Sequence, residues 1–144
     1  MNIAIDAGNT YAKVGWFDED KLVRYQNRLL WPDLITEIQK DLPEKIIFSS
    51  VGQTVDVFES ALNRDVEIVD LTPDTPLPIV KNYDTPRTLG ADRIAASVGA
   101  QWLYPGADML VIDMGTCITY DYLDKTGSFE GGAISPGVKM RFAA

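Results

Sequence analysis

The sequence of 144 residues contains no histidine and only one cysteine, Cys117. The absence of histidine excludes Ser-His and Cys-His nucleophile pairs, and zinc sites with histidine ligands. A single cysteine cannot form a disulfide within the chain, and without a histidine to activate it we expect Cys117 to be a small, buried strand residue. Any proton transfer must therefore fall to a carboxylate, a lysine or a tyrosine.

Basic residues are also scarce, with 13 Lys and Arg against 21 Asp and Glu. The resulting formal charge of −8 is the wrong sign for holding a polyanion, so no nucleic-acid partner is predicted. The first ten residues, MNIAIDAGNT, have an acid at position 6 and no basic region leading into an apolar stretch. They predict neither a signal peptide nor a membrane anchor, and hence a cytoplasmic protein without a membrane partner.

The hydrophobic fraction of 46% and the charged fraction of 24% are typical of a soluble globular chain. Short apolar runs and polar turns predict strands at 2–6, 12–17, 22–25, 45–51 and 66–69, with helices starting near 32 and 56. The first three strands form a predicted antiparallel meander, and strand and helix alternate afterwards. This pattern predicts an α/β fold with a mixed sheet.

Two predicted helices have an apolar face that can be read from residue spacing. The face of the first would contain Leu34, Ile35, Ile38 and Leu42. The face of the second, which follows a proline-rich loop at 71–78, would contain Ala91, Ala95, Val98 and Trp102. Pro105 and Gly106 are expected to end that second helix.

One pattern occurs twice, at residues 3–9 and 110–116. Each copy has three strand residues, an aspartate, any residue, a glycine and a small polar residue, and the two aspartates lie 113 − 6 = 107 positions apart. Each copy is followed by a strand, a polar turn and a further strand. The repeat predicts two lobes of similar design, a first at 1–107 and an incomplete second at 108–144.

The repeated turn has the chemistry of a phosphate site. Its glycine lets main-chain N–H groups approach an anion, and the hydroxyl or amide beside it donates to phosphate oxygens. The aspartate at the strand end can hold a cation or its water. A single copy would fit equally well a hairpin whose side chains cap their own backbone, but two equivalent copies favour paired phosphate-binding turns.

Four segments resemble, in order, the motifs of the type III pantothenate kinases, which belong to the acetate-kinase, sugar-kinase, Hsp70 and actin superfamily. The segments are DAGNT at 6–10, YDTPRTLGADR at 83–93, DMGTCIT at 113–119 and GGAISPG at 131–137. The resemblance implies a ribonuclease H-like, actin-like ATPase lobe with a mixed sheet flanked by helices, plus the first strands of a second similar lobe. It also implies transfer of the ATP γ-phosphoryl group to the terminal hydroxyl of pantothenate, giving 4'-phosphopantothenate, the first step of coenzyme A biosynthesis. The alternative is a non-catalytic, nucleotide-binding regulator, since the family also includes proteins named Bvg accessory factors.

The resemblance implies that Asp92 is the general base. Pantothenate would be bound by Tyr83, Gly90, Ala91, Asp92 and Arg93. The residues alone favour a different interpretation, in which Asp92 is a first-turn acid stabilised by the helix macrodipole. Likewise, Tyr83 could be a strand-end aromatic in the core, and Arg93 a solvated helix residue.

The resemblance assigns a second group of residues to ATP. This group comprises Asp6, Ala7, Gly8, Asn9, Thr10, Tyr11, Ala12, Lys13 and Thr116. Lys13 could instead be an ordinary outward-facing strand lysine. A monovalent cation, K⁺ or NH₄⁺, is implied at Asp113, and a divalent metal such as Mg²⁺, bound with ATP, at Asp6. Such cations would offset the charge of −8 near two anionic substrates.

The last motif is followed by residues 138–144, where the superfamily begins a helix of its second lobe. We therefore expect the chain to be the leading part of a longer protein, which the resemblance implies is a homodimer. On this expectation, residues 1–144 alone would not be an active kinase.

Overall fold

A computed structural model describes residues 1–41, 43–51, 53–62, 65–83 and 85–143. They form two compact units, Met1–Thr72 and Pro73–Ala144. The units divide earlier in the chain than the predicted lobes, 1–107 and 108–144, whose boundary stays a prediction. Within the described ranges, no helix is long and apolar enough to cross a lipid bilayer.

The first unit is built on a five-stranded mixed sheet. Its strands are β1 (Asn2–Ala7), β2 (Ala12–Asp18), β3 (Lys21–Leu29), β4 (Lys45–Ser50) and β5 (Glu67–Asp70). The first three form the predicted antiparallel meander, and β4 and β5 run parallel to β1, in the order β3-β2-β1-β4-β5. Helix α1 (Trp31–Gln39) connects β3 to β4, and α2 (Val55–Leu62) connects β4 to β5. The predicted α/β class with a mixed sheet and flanking helices is confirmed.

The core of the first unit follows from the two periodicities of its elements. Alternate residues of β1, such as Ile5, are buried because successive strand side chains point to opposite faces. In α1, Leu34 and Ile38 are buried one turn apart, and Ile35 packs against the same core, as predicted. Leu42, predicted for that face, lies outside the described residues.

The second unit contains a meander of the same kind. Its elements are β6 (Val80–Lys81), α3 (Ala91–Leu103), β7 (Met109–Met114), β8 (Cys117–Leu123), β9 (Ser128–Pro136) and α4 (Val138–Phe142). The antiparallel pairing of β7, β8 and β9 matches that of β1, β2 and β3, so the sequence repeat extends to strand pairing. With β6 parallel to β9, the order is β6-β9-β8-β7, and β7 lies at the edge of the described sheet.

The buried face of α3 is not the predicted one. Ala95 is exposed and Trp102 is 72% exposed, whereas Arg93, Ile94 and Ser97 are buried. This face packs against β7 and β8, where Arg93 forms a buried ion pair with Asp121 of β8. The predicted apolar face is wrong because the spacing of apolar residues does not reveal an interior ion pair.

Two strands of the second unit are more exposed than their apolar residues suggest. Cys117 is exposed, so the prediction of a buried cysteine is wrong. It directly follows the turn between β7 and β8, where the sheet ends. Along the edge strand β7, Leu110, Ile112 and Met114 are between 51% and 67% exposed.

Candidate functional site

The hairpin between β1 and β2 forms a pocket in the first unit. The Gly8 N–H donates to the Tyr11 carbonyl oxygen at 3.1 Å, which closes the turn and leaves Asn9 and Thr10 exposed. Residues 7–12, all predicted to bind ATP, line a pocket of about 160 Å³. The Gly8 N–H is thus used within the turn, and the turn presents the Asn9 amide and the Thr10 hydroxyl to a ligand on one concave surface.

Sequence reasoning missed part of this pocket. Its other lining residues are Leu29, Trp31 and Gln53. The Arg28 guanidinium carbon also lies 5.4 Å from the ring centroid of Tyr11, which places a positive charge beside the turn. No motif singles out these residues, because β3, the start of α1 and the segment after β4 converge on the hairpin only in the folded unit.

Asp6 and Lys13 face each other across the base of the same hairpin. The Lys13 ammonium lies 3.2 Å from Oδ2 of Asp6, and the two side chains are 54% and 46% exposed. Lys13 is thus exposed, as expected for an ordinary outward-facing strand lysine. Its ion pair with Asp6 nevertheless holds it beside the turn that is predicted to bind phosphate. Neither residue lines the pocket itself.

The hairpin between β7 and β8 joins two motifs that are separate in sequence. The Gly115 N–H donates to the Cys117 carbonyl oxygen at 2.8 Å, and the Gly137 N–H donates to the Thr116 carbonyl oxygen at 2.9 Å. A Cβ atom at position 137 would overlap the Gly115 and Thr116 carbonyl oxygens. Glycine at 137 therefore allows the last motif to pack directly against the repeated turn, and Thr116 remains exposed.

The carboxylate of Asp113 has different surroundings from that of Asp6. Its cross-strand partner is the neutral Thr119 rather than a lysine, and it is exposed. In the described part of the chain, Asp113 makes no ion pair, and no three His, Cys, Asp or Glu side chains cluster as metal ligands. A cation here would thus take one side-chain carboxylate from the described residues and its other ligands from main-chain carbonyl groups, water or substrate.

The start of α3 presents Asp92 to solvent. The Arg93 N–H donates to Oδ1 of Asp92 at 2.8 Å, and the Ile94 N–H donates to the Gly90 carbonyl oxygen at 3.1 Å. A Cβ atom at position 90 would lie 2.5 Å from Oδ1 of Asp92, so glycine there leaves room for the carboxylate. Ala91 is half-buried in the first turn. This placement fits both a general base and an acid that interacts with the helix dipole.

Arg93 is buried, so its interpretation as a solvated helix residue is wrong. It is 7% exposed and its Nε donates to Oδ1 of Asp121 at 2.9 Å, while Nη2 donates to the same oxygen. This hydrogen bond to Asp121 raises the pKa of Arg93 above its usual value. Sequence reasoning missed Asp121, which lies inside β8 between Tyr120 and Tyr122 and belongs to none of the four motifs.

Tyr83 and Arg93, the first and last residues of the motif at 83–93, lie near the same aromatic ring. The half-buried ring of Tyr83 packs edge-on against Phe129 with centroids 5.8 Å apart, and Arg93 lies 5.8 Å from the same Phe129 ring. Asp84, within this motif, lies outside the described residues. The contact with Phe129 supports the aromatic-packing interpretation of Tyr83, and part of its side chain is exposed.

Comparison with known proteins decides the family. The family model described as type III pantothenate kinase matches residues 2–144. The chain belongs to this family. Among curated type III pantothenate kinases, it is 44% identical to that of Cytophaga hutchinsonii, 45% to that of Phocaeicola vulgatus and 43% to that of Bacteroides fragilis. Each alignment covers all of this chain and 60% or 61% of the relative.

A solved structure is also similar to this type III pantothenate kinase family member. It is described as a candidate Baf family transcriptional activator from Campylobacter jejuni and is 25% identical, with a TM-score of 0.55. The match covers 95% of this chain and 55% of that one. The chain thus spans about 60% of the length of the curated relatives it matches.

Proposed function

We propose that the complete protein is a pantothenate kinase that transfers the γ-phosphoryl group of ATP to the terminal hydroxyl of pantothenate. The observation that carries the proposal is the family match over residues 2–144. The products are 4'-phosphopantothenate and ADP. The proposed location is the cytoplasm, because ATP is the proposed donor. The proposed assembly is a homodimer, as the family resemblance implies.

Asp92 is the proposed general base. Its Oδ1 accepts the Arg93 N–H, and in the described structure Oδ2 accepts no hydrogen bond. The free oxygen supports the proposal that Oδ2 takes the proton of the pantothenate hydroxyl as its oxygen attacks the γ-phosphorus in line. Tyr83, Gly90, Ala91 and Arg93 are the proposed pantothenate contacts, and all of them lie in the second unit.

The first hairpin is proposed to bind ATP phosphates. Its exposed turn at 8–11 offers the Asn9 amide and the Thr10 hydroxyl, and Lys13 adds a positive charge nearby. Asp6 is the proposed carboxylate for the divalent ion that accompanies ATP; this ion would replace the Lys13 ammonium, 3.2 Å from Asp6, and leave it for a phosphate. That ion neutralises phosphate charge when bound.

In the second unit, Thr116 is the proposed further contact to ATP, because its side chain lies exposed in the repeated turn. Asp113 is the proposed site of the monovalent ion, K⁺ or NH₄⁺. The neutral cross-strand partner Thr119 supports this assignment, since no lysine there competes with a cation.

The proposal is tested with the protein expressed from its complete reading frame, by following pantothenate-dependent ADP release. Asp92→Asn is expected to lower kcat by about 10²- to 10⁴-fold, because a general base contributes about that much. The matched control is Asp33→Asn, which removes an exposed first-turn acid from α1. The control should turn over normally.

The same pair of variants distinguishes the alternatives for Asp92. A helix-dipole acid alone predicts that both substitutions lower stability slightly and leave turnover unchanged. A nucleotide-binding regulator predicts ATP binding without pantothenate-dependent ADP release in any variant. Either result would contradict the kinase proposal or the role of Asp92 within it.

A further inference from the structure

A buried ion pair joins α3 to β8 in the second unit. Arg93 is 7% exposed and Asp121 is 1% exposed. Both hydrogen bonds, from Nε at 2.9 Å and from Nη2, go to Oδ1 of Asp121. The other carboxylate oxygen, Oδ2, is buried and has no hydrogen-bond partner in the described structure.

This geometry leaves Arg93 with hydrogen-bonding capacity. A guanidinium has five N–H donors; the two bonds to Asp121 use two of them and a hydrogen bond to the Tyr83 side chain uses a third, which leaves two. The Nη1 group makes no bond to Asp121. The Arg93 main-chain N–H meanwhile binds Asp92, so one residue connects the buried pair to the proposed base.

The guanidinium is confined on several sides. Besides Asp121, the Phe129 ring lies 5.8 Å from its central carbon. A Cβ atom at position 132 would lie 2.7 Å from Nη2 of Arg93 and 2.5 Å from Oδ1 of Asp121. Glycine at this position therefore allows the ion pair to lie directly against β9. These contacts hold a normally flexible side chain in one orientation.

We propose that Asp121 is a positioning residue for Arg93: it holds the guanidinium ready for oxygen atoms of pantothenate without touching the substrate itself. This inference rests on the proposed function. An arginine side chain loses much rotamer freedom when it binds a ligand, and ordering it during folding removes that cost from binding. A buried ion pair seldom stabilises a fold more than apolar residues would, so stability alone does not account for it.

The first test is Asp121→Asn in the protein expressed from its complete reading frame. Asparagine keeps the size and an acceptor oxygen but loses the charge that orients Arg93. We expect the KM for pantothenate to rise by about 2- to 12-fold, the value that corresponds to ordering one side chain. The KM for ATP should stay unchanged and kcat should stay close to that of the wild type.

A purely structural pair predicts a different result, since partial unfolding lowers kcat through loss of active protein and leaves the pantothenate KM unchanged. That outcome would overturn the proposal. The matched control is Asp41→Asn, which breaks an Arg–Asp pair of the first unit, with Arg24, and should alter neither KM. A wild type without pantothenate-dependent ADP release would overturn the proposed function and this role with it, whereas an active wild type isolates the role of Asp121.

A second test remains informative if Asp121→Asn does not fold. Arg93→Ala is assayed alone and combined with Asp121→Asn, because removing both partners leaves no unpaired buried charge. Guanidinium ion at millimolar concentration should restore turnover several-fold in the single variant and not in the double variant. Equal rescue of both, or of neither, would overturn the proposal.

Discussion

Replacing Gly132 with alanine should destabilise the second unit. The added Cβ would overlap the Tyr120 carbonyl oxygen on the neighbouring strand β8. It would also lie 2.5 Å from Oδ1 of Asp121 and 2.7 Å from Nη2 of Arg93. Carbon and oxygen atoms need more than 3 Å, roughly, so β8 and β9 must separate or the ion pair must move.

The magnitude follows from the kind of atom displaced. A flexible side chain could yield at little cost, but a carbonyl oxygen held in a strand ladder cannot, and overpacking of this kind costs about 1–3 kcal/mol. The matched control is Gly99→Ala in the interior of α3, where a Cβ would meet nothing within 4 Å. Alanine there should raise stability by about 0.5–1 kcal/mol, because glycine is unfavourable inside a helix.

Urea unfolding followed by circular dichroism measures both substitutions against the wild type. The expected result is a lower midpoint for Gly132→Ala and a higher midpoint for Gly99→Ala, with similar slopes. A Gly132→Ala protein as stable as the wild type would refute the close approach of β8 and β9. Equal losses in both variants would show that the overlap is not the cause.

Two further predictions concern charge. Hydrogen bonds to Asp124, first from the Thr126 side chain and then from main-chain N–H groups, lower its pKa in the folded protein. The ionised carboxylate therefore stabilises the fold above the unfolded pKa of about 4. This contribution is lost as pH falls through the lower pKa of the folded protein. Asp124→Ala should therefore lower the thermal midpoint at pH 7 more than at pH 3, and an equal loss at both pH values would contradict it. Pantothenate-dependent turnover should fall by roughly tenfold or more when K⁺ and NH₄⁺ are replaced by a large organic cation, and Asp113→Asn should lose this dependence; equal rates with all three cations would show that Asp113 holds no such ion.

Local patterns were sufficient for much of the fold. Short apolar runs between polar turns predicted the first meander, the repeated D-x-G turn predicted a similar second unit, and the spacing of Leu34 and Ile38 predicted the buried face of α1. The same reasoning failed for α3, because its buried face contains Arg93 and Ser97. The partner of Arg93 lies 28 positions away, and spacing within a helix contains no information about it.

Motifs predicted the residues of the candidate site but not how the fold arranges them. Motifs identified the turn residues and Asp92, whose chemistry depends on main-chain groups close in sequence. They did not identify Asp121, because an acid inside a strand is usually read as an outward-facing position. Nor did they show that Asp6 faces Lys13 while Asp113 faces a neutral residue, since strand register decides that difference.

The edge position of β7 has a consequence for handling the protein in solution. Its outer peptide groups can pair with another chain, and its exposed apolar side chains, including Leu110 and Ile112, would be covered by such pairing. Mutual repulsion between chains of charge −8 opposes this association. At physiological ionic strength, salt screens this repulsion at distances beyond about 8 Å. Colloidal stability should therefore decrease as ionic strength and protein concentration increase.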